Sequence, residues 1–428
     1  MPDFDLAIVG AHPHPAIGIS AGRIVALAEG SARETIHAEG LLVLPGLVDA
    51  HVHFNDPGRA DWEGWDTGSQ AALAGGITTV CDMPLNSTPP VVTVEAFDAK
   101  RAAGEAKSRC DFALWGGLVP GHLEDLEPLA KRGVMGFKAF MSGSGIDDFP
   151  KADLATLREG MKRATALGLP VGVHAEFDGP AAPVCEASVR DYLDSRPIES
   201  ECAAITAAME IAGETGCALH VVHVSSARGL ALIADARARG ANVTAETCPH
   251  YLVLTGEDME RLGAAAKCAP PMRDEANREE LWRRLRAGQI QTIGSDHSPS
   301  PWSMKTDPDF FKIWGGISGV QHLLPILLDA GLGPALLAAV ASANPARRFR
   351  LPGKGQIAAG MDADLVLVET GVTEEVTAGS LLYRHQHSPY VGRNLSARVR
   401  RTILRGQTVY LDGTLCANGL RGRLITPL

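Results

Sequence analysis

The chain has 428 residues, enough for one large α/β barrel with an added module, so a sizeable core can be buried. Hydrophobic residues make up 45% of the chain and charged residues 21%, which is typical of a globular protein and excludes a disordered or fibrous one. The formal net charge of -10 disfavours nucleic acid and anionic membranes as partners, because such a surface repels phosphate groups.

The start of the chain and its cysteines favour a cytoplasmic location. Residues 1–5 contain no basic stretch ahead of an apolar run, so we expect no signal peptide. The longest apolar run, 320–343, is interrupted by polar residues and prolines, which fits two packed helices better than a membrane span. The 8 cysteines form no CxxC pair, so we expect reduced thiols.

Short apolar, β-branched segments alternate with helix-length stretches through most of the chain. The predicted strands are 42–53, 77–83, 112–118, 134–141, 170–176, 218–225, 241–247 and 291–295. Intervening stretches such as 156–166 and 278–287 repeat apolar residues at helical spacing. Strands and helices in this order predict a (β/α)8 TIM barrel, which we place at residues 46–351.

Both ends of the chain have a different character, with strand-like pieces punctuated by Gly and Pro and few helical patterns. These pieces are 7–9, 23–27, 364–368 and 402–404. We therefore predict that residues 1–45 and 352–428 together form one small β-sandwich domain beside the barrel.

His51 and His53 end the first predicted strand, and side chains two residues apart on a strand point the same way. Both imidazoles can therefore reach one ion. Two further HxH patterns, 12–14 and 385–387, lie in turn-like flanks without other ligand-type residues, and we interpret them as surface residues.

Ligand-type side chains also end other predicted strands. They are Lys138, His174, His223 and Asp296. Because the strand ends of such a barrel converge on one mouth, we expect these side chains to meet there. A single histidine at a strand end is usually a hydrogen-bonded core residue, but several converging with a carboxylate suit zinc or a similar divalent ion.

Three neighbouring histidines are interpreted as structural. His220 stands three residues from His223 and is expected to face the opposite side of the strand, so only one of the two can enter the mouth. We choose His223 because it is nearer the C-terminal end. His297 is expected to point away from the site, and His250 to be packed and hydrogen-bonded.

Lys138 is an unusual residue for a cation site, because an ammonium group repels a metal ion. Carbamylation by CO2 would convert its amine into an anion with two oxygens, able to bridge two ions. The alternative is an ordinary lysine paired with a carboxylate.

Six motifs distributed along the chain carry a family resemblance. They are PGLVDAHVH (45–53), GFK (136–138), VHAE (173–176), VHVSS (222–226), CPHY (248–251) and GSDHSP (294–299). Together they resemble the cyclic amidohydrolases, which include dihydroorotases, hydantoinases and allantoinases. The resemblance covers essentially the whole chain and implies two divalent metal ions, zinc or else cobalt, manganese or iron. It further implies that His51, His53 and Asp296 hold one ion, that His174 and His223 hold the other, and that carbamylated Lys138 bridges them.

Within this group, four segments are most similar to allantoinases: NDPGRADWEGW (55–65), DMPLNS (82–87), SDHSP (295–299) and WGGISGVQ (314–321). Dihydroorotases carry an arginine where Asn55 stands, and an amide cannot grip a substrate carboxylate as a guanidinium does. A neutral ring is therefore favoured over dihydroorotate. Candidate substrate contacts are Asn86, Ser298, Gly315 and Ser318.

The resemblance implies a hydrolase that opens the hydantoin ring of allantoin to allantoate in purine catabolism. A metal-bridged hydroxide would attack the ring carbonyl, and Asp296 would act as general base and return the proton to the leaving nitrogen. A cytoplasmic homotetramer is also implied. The alternatives are a hydantoinase or dihydropyrimidinase, then a dihydroorotase, and last a metal-free scaffold relative, which the six filled ligand positions disfavour.

Overall fold

A computed structural model of the chain describes residues 2–179, 186–417 and 419–428. The strands are β1 (Phe4–Val9), β2 (Ala16–Ser20), β3 (Arg23–Ala26), β4 (Ala32–His37), β5 (Leu42–Pro45), β6 (Leu47–Val52), β7 (Ile77–Asp82), β8 (Asp111–Leu114), β9 (Gly116–Gly117), β10 (Phe137–Phe140), β11 (Val171–His174), β12 (Leu219–Val221), β13 (Val243–Thr247), β14 (Thr292–Ile293), β15 (Leu365–Glu375), β16 (Asn394–Leu404), β17 (Gln407–Leu411) and β18 (Thr414–Leu415).

The α-helices are α1 (Trp65–Ala74), α2 (Val94–Lys107), α3 (Leu126–Arg132), α4 (Leu154–Ala166), α5 (Val189–Asp194), α6 (Ile198–Thr215), α7 (Ala227–Ala238), α8 (Pro249–Val253), α9 (Gly256–Leu262), α10 (Glu275–Arg286), α11 (Leu323–Asp329), α12 (Pro334–Ala338) and α13 (Asn344–Arg348). Within the described ranges, none of the helices combines the length and apolar character that crossing a bilayer requires.

Strands β6 to β14 form a closed parallel barrel with helices between successive strands. Two parallel sheets, β6-β7-β8 and β9-β10-β11-β12-β13-β14, make up its wall. They join where Met135 N donates to Leu114 O at 2.9 Å, and again where His53 N donates to His297 O at 2.8 Å. Strands β8 and β9 are two halves of one barrel strand. The predicted TIM barrel is confirmed.

The first predicted strand, 42–53, is two strands with different partners. Strand β5 pairs with β15 in a sheet of the small domain, whereas β6 pairs with β7 in the barrel. The break falls at Gly46, where a Cβ atom would lie 2.2 Å from Thr78 Oγ1. Only glycine fits this crossing between the two domains.

The small domain contains two sheets that share one apolar core. The first has the strand order β3-β2-β1-β4 and the second β18-β17-β16-β15-β5. Ile8 and Ile19 of the first sheet and Leu365 and Ile403 of the second belong to that core. Both chain ends therefore contribute to one small β domain, and its boundaries at residues 45 and 352 stay predictions.

Part of the C-terminal region contacts loops of the barrel mouth instead of the small domain. The Arg384 side chain donates to Glu63 O at 2.6 Å, and Ser388 Oγ donates to Ser318 O at 2.7 Å. His385 Nε2 lies 2.7 Å from Asp61 O. This segment therefore fastens the loops that surround the mouth.

The described cysteines are free thiols, as expected, while Cys185 lies outside the described residues.

Candidate metal and active site

The predicted ligands lie close together at the carboxyl ends of the barrel strands. His51 lies on β6, Lys138 on β10 and His174 on β11. The remaining three, His53, His223 and Asp296, lie just beyond β6, β12 and β14. Ligand atoms of His51, His223 and Asp296 all lie within 4.8 Å of one another, a spacing that one metal ion could occupy.

Asp296 connects the two histidines of the HxH pair. Its Oδ1 lies 3.2 Å from Nε2 of His51 and 3.5 Å from Nε2 of His53. On the other side of the site, Nδ1 of His174 lies 3.0 Å from Nε2 of His223. The structure therefore brings the ligand-type side chains together as two adjacent groups.

Hydrogen bonds at the back of three of the four rings determine which imidazole nitrogen faces the site, whereas Nδ1 of His223 has no partner among the described residues. Nδ1 of His51 lies 2.8 Å from Glu246 Oε1, and Nδ1 of His53 lies 2.8 Å from Leu85 O. Nε2 of His174 lies 3.3 Å from Glu176 Oε2. Each acceptor favours a proton on the rear nitrogen, which leaves a lone pair directed into the site, as in metal-binding histidines.

Burial favours the neutral form of His51 and His174, whereas neighbouring side chains keep Asp296 and Glu246 charged despite their burial. Desolvation lowers the pKa of His51 and His174, so both are unprotonated at neutral pH. Burial opposes ionisation of Asp296, but His51 and His53 outweigh it and hold the pKa of Asp296 well below its usual range. Glu246 is also fully buried, and its histidine neighbours lower its pKa to about 2.

Lys138 is fully buried, and its Nζ has no hydrogen-bond partner among the described residues. The amine lies 4.7 Å from the centre of the Phe140 ring. Burial lowers the pKa of Lys138 to about 7, against the opposing influence of Asp296 and Glu246. A buried amine that is half neutral at pH 7 and unpaired does not behave as an ordinary ion-pairing lysine.

Two of the ligand-type residues have left-handed backbone conformations. His223 has φ 37° and Asp296 has φ 47°. Such angles are strained for residues with a Cβ atom, and they cluster at functional sites. Here they turn each side chain inward immediately after its strand has ended.

A small cavity of about 90 Å³ opens above the six side chains and is continuous with a larger one of about 550 Å³. The two share five lining residues, which are Gly143, Ser144, Ala269, Trp314 and Gly315. Asn86, Ser298 and Gly315 line the smaller cavity. Ser318 does not line it, because this residue lies further back beneath Ser388.

The structure corrects one geometric expectation about the histidines. His220 does not face the opposite side from His223, since both lie inside the barrel near Glu246: His220 Nε2 is 3.5 Å from Oε2, and His223 N donates to Oε1 at 3.3 Å. Strand β12 ends at Val221, so strand alternation does not extend to His223. His220 remains structural, one layer below the site.

The other histidines lie outside the cluster. His297 contacts Glu63 at 3.5 Å and accepts from Gly319 N at 3.1 Å. His250 is buried against Tyr251, but neither of its ring nitrogens has a hydrogen-bond partner in the described part of the chain. His385 and His387 are half-buried rather than surface residues, because each bonds a carbonyl of a mouth loop.

Sequence reasoning missed the carboxylates behind the ligands. Glu176 ends the fifth predicted strand and Glu246 lies one residue before the end of the seventh, so both could have been found as acids at strand ends. Arg196 donates to Glu176, which keeps that carboxylate charged. The close packing of Phe140 on His174, with ring centres 4.6 Å apart, had no comparable sequence pattern.

The family model described as "Amidohydrolase family" matches residues 42–409. This chain belongs to the amidohydrolase family. Among curated amidohydrolases it is 52% identical to an allantoinase of Rubrobacter xylanophilus, over 96% of this chain and 94% of the relative. It is 50% identical to an allantoinase of Deinococcus radiodurans, with the same coverage of 96% and 94%.

Solved amidohydrolase structures match the fold over nearly the whole chain. The L-hydantoinase (dihydropyrimidinase) of Arthrobacter aurescens gives a TM-score of 0.94 at 32% identity and covers 99% of this chain and 100% of its own. The dihydropyrimidinase of Brevibacillus agri gives 0.86 at 29% identity, covering 98% and 97%. The cyclic amidohydrolase resemblance inferred from the motifs is confirmed.

Proposed function

We propose that the chain is an allantoinase, which hydrolyses the ring amide of allantoin to give allantoate. The observation that carries this proposal is the likeness to curated allantoinases at 50–52% identity over nearly full length. The inner cavity above the cluster supports it, since its described lining includes Asp296 but no arginine or lysine, while Arg196 and Lys267 line only the larger outer cavity. Such a lining suits a neutral ring better than an anionic one.

We propose that the six side chains hold two divalent metal ions, with zinc the first candidate and cobalt, manganese or iron the alternatives. His51, His53 and Asp296 would hold one ion, His174 and His223 the other, and carbamylated Lys138 would bridge them. The donor set of imidazole nitrogens and carboxylate oxygens fits these metals. The unpaired, partly neutral amine of Lys138 is the form that reacts with CO2. When bound, the ions would lower the pKa of a water molecule and polarise the ring carbonyl.

The role proposed for Asp296 follows from its charge and position. Its carboxylate is ionised at neutral pH and directs Oδ1 toward the centre of the site. Asp296 would take the proton from the attacking water as the new C–O bond forms. It would then pass that proton to the ring nitrogen as the C–N bond breaks, so that the carboxylate is regenerated.

Residues around the cavity would orient the ring. Asn86 Nδ2 donates to Asn55 Oδ1 at 3.4 Å, and the Arg59 guanidinium donates to Asn86 O at 2.6 Å. These contacts hold Asn86 in the wall of the cavity that Ser298 and Gly315 also line. Allantoin offers several amide edges that such polar groups can bind.

The second candidate function is that of a hydantoinase or dihydropyrimidinase, favoured by the TM-score of 0.94 to the L-hydantoinase. Dihydroorotase is weaker, because Asn55 supplies no cation for the substrate carboxylate. A panel of allantoin, hydantoin, dihydrouracil and dihydroorotate, assayed on one metal-loaded preparation, separates these proposals. We expect the highest kcat/KM with allantoin, and preferred turnover of another ring would refute the allantoinase proposal.

The role of Asp296 is tested separately by Asp296→Asn. We expect turnover to fall by about 100-fold or more, since positioned general bases contribute roughly 10²–10⁴-fold. Near-normal turnover with the metal content retained would show that Asp296 is not the base. Assembly into a cytoplasmic homotetramer stays a prediction, and light scattering tests its tetrameric part.

A further inference from the structure

A second cavity, of about 450 Å³, lies at the opposite end of the barrel from the metal-ligand cluster. Its lining includes Pro170, Ala218 and Asn242, which directly precede β11, β12 and β13, so the cavity is at the base of the barrel. Four arginines also line it: Arg237, Arg347, Arg348 and Arg350. Its volume is within the range of small-molecule sites, roughly 300–1,000 Å³.

The hydrogen bonds made by these arginines go to neutral acceptors. Arg348 donates to Asn242 Oδ1 at 2.7 Å and to Leu219 O at 2.6 Å. Arg237 donates to Val243 O at 2.6 Å, and Arg347 donates to Asn344 Oδ1 at 2.6 Å. None of these contacts neutralises a positive charge.

Across the described ranges, no carboxylate forms an ion pair with any of the four guanidinium groups. Elsewhere in the molecule buried arginines have such partners, as Arg273 does with Glu201. Burial, together with the nearby charge of Arg237, lowers the pKa of Arg348 to about 10. Nε of Arg348 is buried without a partner. The cluster therefore holds positive charge and donor capacity that the described protein groups leave unused.

We propose that this cavity binds a small phosphate-bearing anion. Guanidinium groups present planar pairs of donors that match phosphate oxygens, and a phosphate can accept from several of them at once. Four like charges held together repel one another, and a divalent anion between them would remove that repulsion. The chain has a formal net charge of -10, so this positive cluster is a local feature and not a general property of the surface.

The position of the cavity separates this site from the proposed catalytic one. None of its lining residues belongs to the cavity above the metal-ligand cluster. Arg347 and Arg350 are exposed at its rim, so an anion can reach them from solvent. The proposal does not depend on which ring the enzyme opens.

Isothermal titration calorimetry of the full, metal-loaded chain with inorganic phosphate tests the proposal, at constant ionic strength maintained with chloride. We expect saturable binding by the parent protein. The affinity for phosphate should fall about 10-fold in the Arg347→Gln variant and about 10-fold in the separate Arg350→Gln variant, the change typical of a lost charged hydrogen bond. Arg239→Gln is the matched control, because Arg239 is exposed near the cavity and does not line it. Binding by the control should equal that of the parent protein.

Two outcomes would overturn the proposal. One is the absence of saturable phosphate binding to the parent protein. The other is equal binding by the parent, both variants and the control, which would place the phosphate elsewhere, including at the metal-ligand cluster. Circular dichroism of each variant verifies that the exposed substitutions leave the fold intact.

Discussion

Oε1 of Glu246 lies 2.8 Å from Nδ1 of His51, and the second oxygen of the same carboxylate lies 3.5 Å from Nε2 of His220. Glu246 is buried and ionised, so it fixes the proton of His51 on Nδ1 and leaves Nε2 free to bind a metal ion.

The Glu246 carboxylate orients the His51 ring and raises the basicity of Nε2. Glu246→Gln removes this negative charge, so it should weaken metal binding. We expect a loss of about 10–100-fold in metal affinity, the usual effect of removing such a partner. Competition with a chelator measures it. Glu257→Gln is the control, since Glu257 is exposed on α9. Unchanged affinity in Glu246→Gln would contradict the role given to Glu246.

The pH dependence of metal reconstitution tests the state of Lys138. Because burial lowers the pKa of Lys138 to about 7, the neutral amine that reacts with CO2 should increase about 10-fold per pH unit below 7 and level off above about pH 8. The rate of reactivation of metal-free protein, at fixed dissolved CO2 and metal, should follow this curve. An amine with an ordinary pKa would instead give a rate that keeps rising to pH 9.

Much of this site could be predicted from the sequence, because its ligands stand at strand ends and the barrel brings strand ends together. The chain passes from the small domain to the barrel at Gly46, within the predicted strand 42–53. The sequence did not show this break, since the segments before and after Gly46 have the same apolar pattern. The orientation of the His223 side chain could not be predicted from the sequence for a different reason. It depends on a φ of 37° after the strand, which no residue pattern specifies. Hydrogen bonds accepted by Glu246 join residues far apart in the chain, so predicting them also required the fold.

Lys305 is expected to position the loop that carries Trp314. Burial lowers the pKa of its amine to about 7, and this amine donates to Trp314 O at 3.1 Å and Gly316 O at 3.0 Å; both residues line the proposed active-site cavity. Lys305→Met should raise KM about 5–10-fold with a smaller change in kcat, since a hydrogen bond contributes roughly 0.5–1.5 kcal/mol and loosening this loop misplaces the cavity wall.

Lys312→Met is the matched control for Lys305, because Lys312 is on the same loop but is 68% exposed. Steady-state kinetics with allantoin compares the two. If Lys305→Met and Lys312→Met both had the parent KM, Lys305 would have no positioning role.

Lys354 is expected to stabilise the junction between the barrel and the small domain. Its buried amine lies 2.6 Å from Asp111, 3.0 Å from Asp362 and 2.7 Å from Asp364. Lys354→Met would remove the positive charge that these three buried carboxylates share. It should lower the free energy of unfolding by about 3–5 kcal/mol, as for other broken buried ion pairs.

Urea unfolding monitored by circular dichroism measures this loss. Arg398→Gln, which removes a surface ion pair to Glu369, should change the midpoint little. If Lys354→Met shifted the urea midpoint as little as Arg398→Gln does, the junction would not depend on Lys354.

The most direct test of the central proposal is an anomalous-scattering crystal map of the metal-loaded protein. We predict two ion peaks: one within ligand distance of His51, His53 and Asp296, the other of His174 and His223, with density for a carbamate extending from Lys138 Nζ to both. A map with no ion among these six side chains, in crystals of protein that opens the allantoin ring, would contradict the proposal.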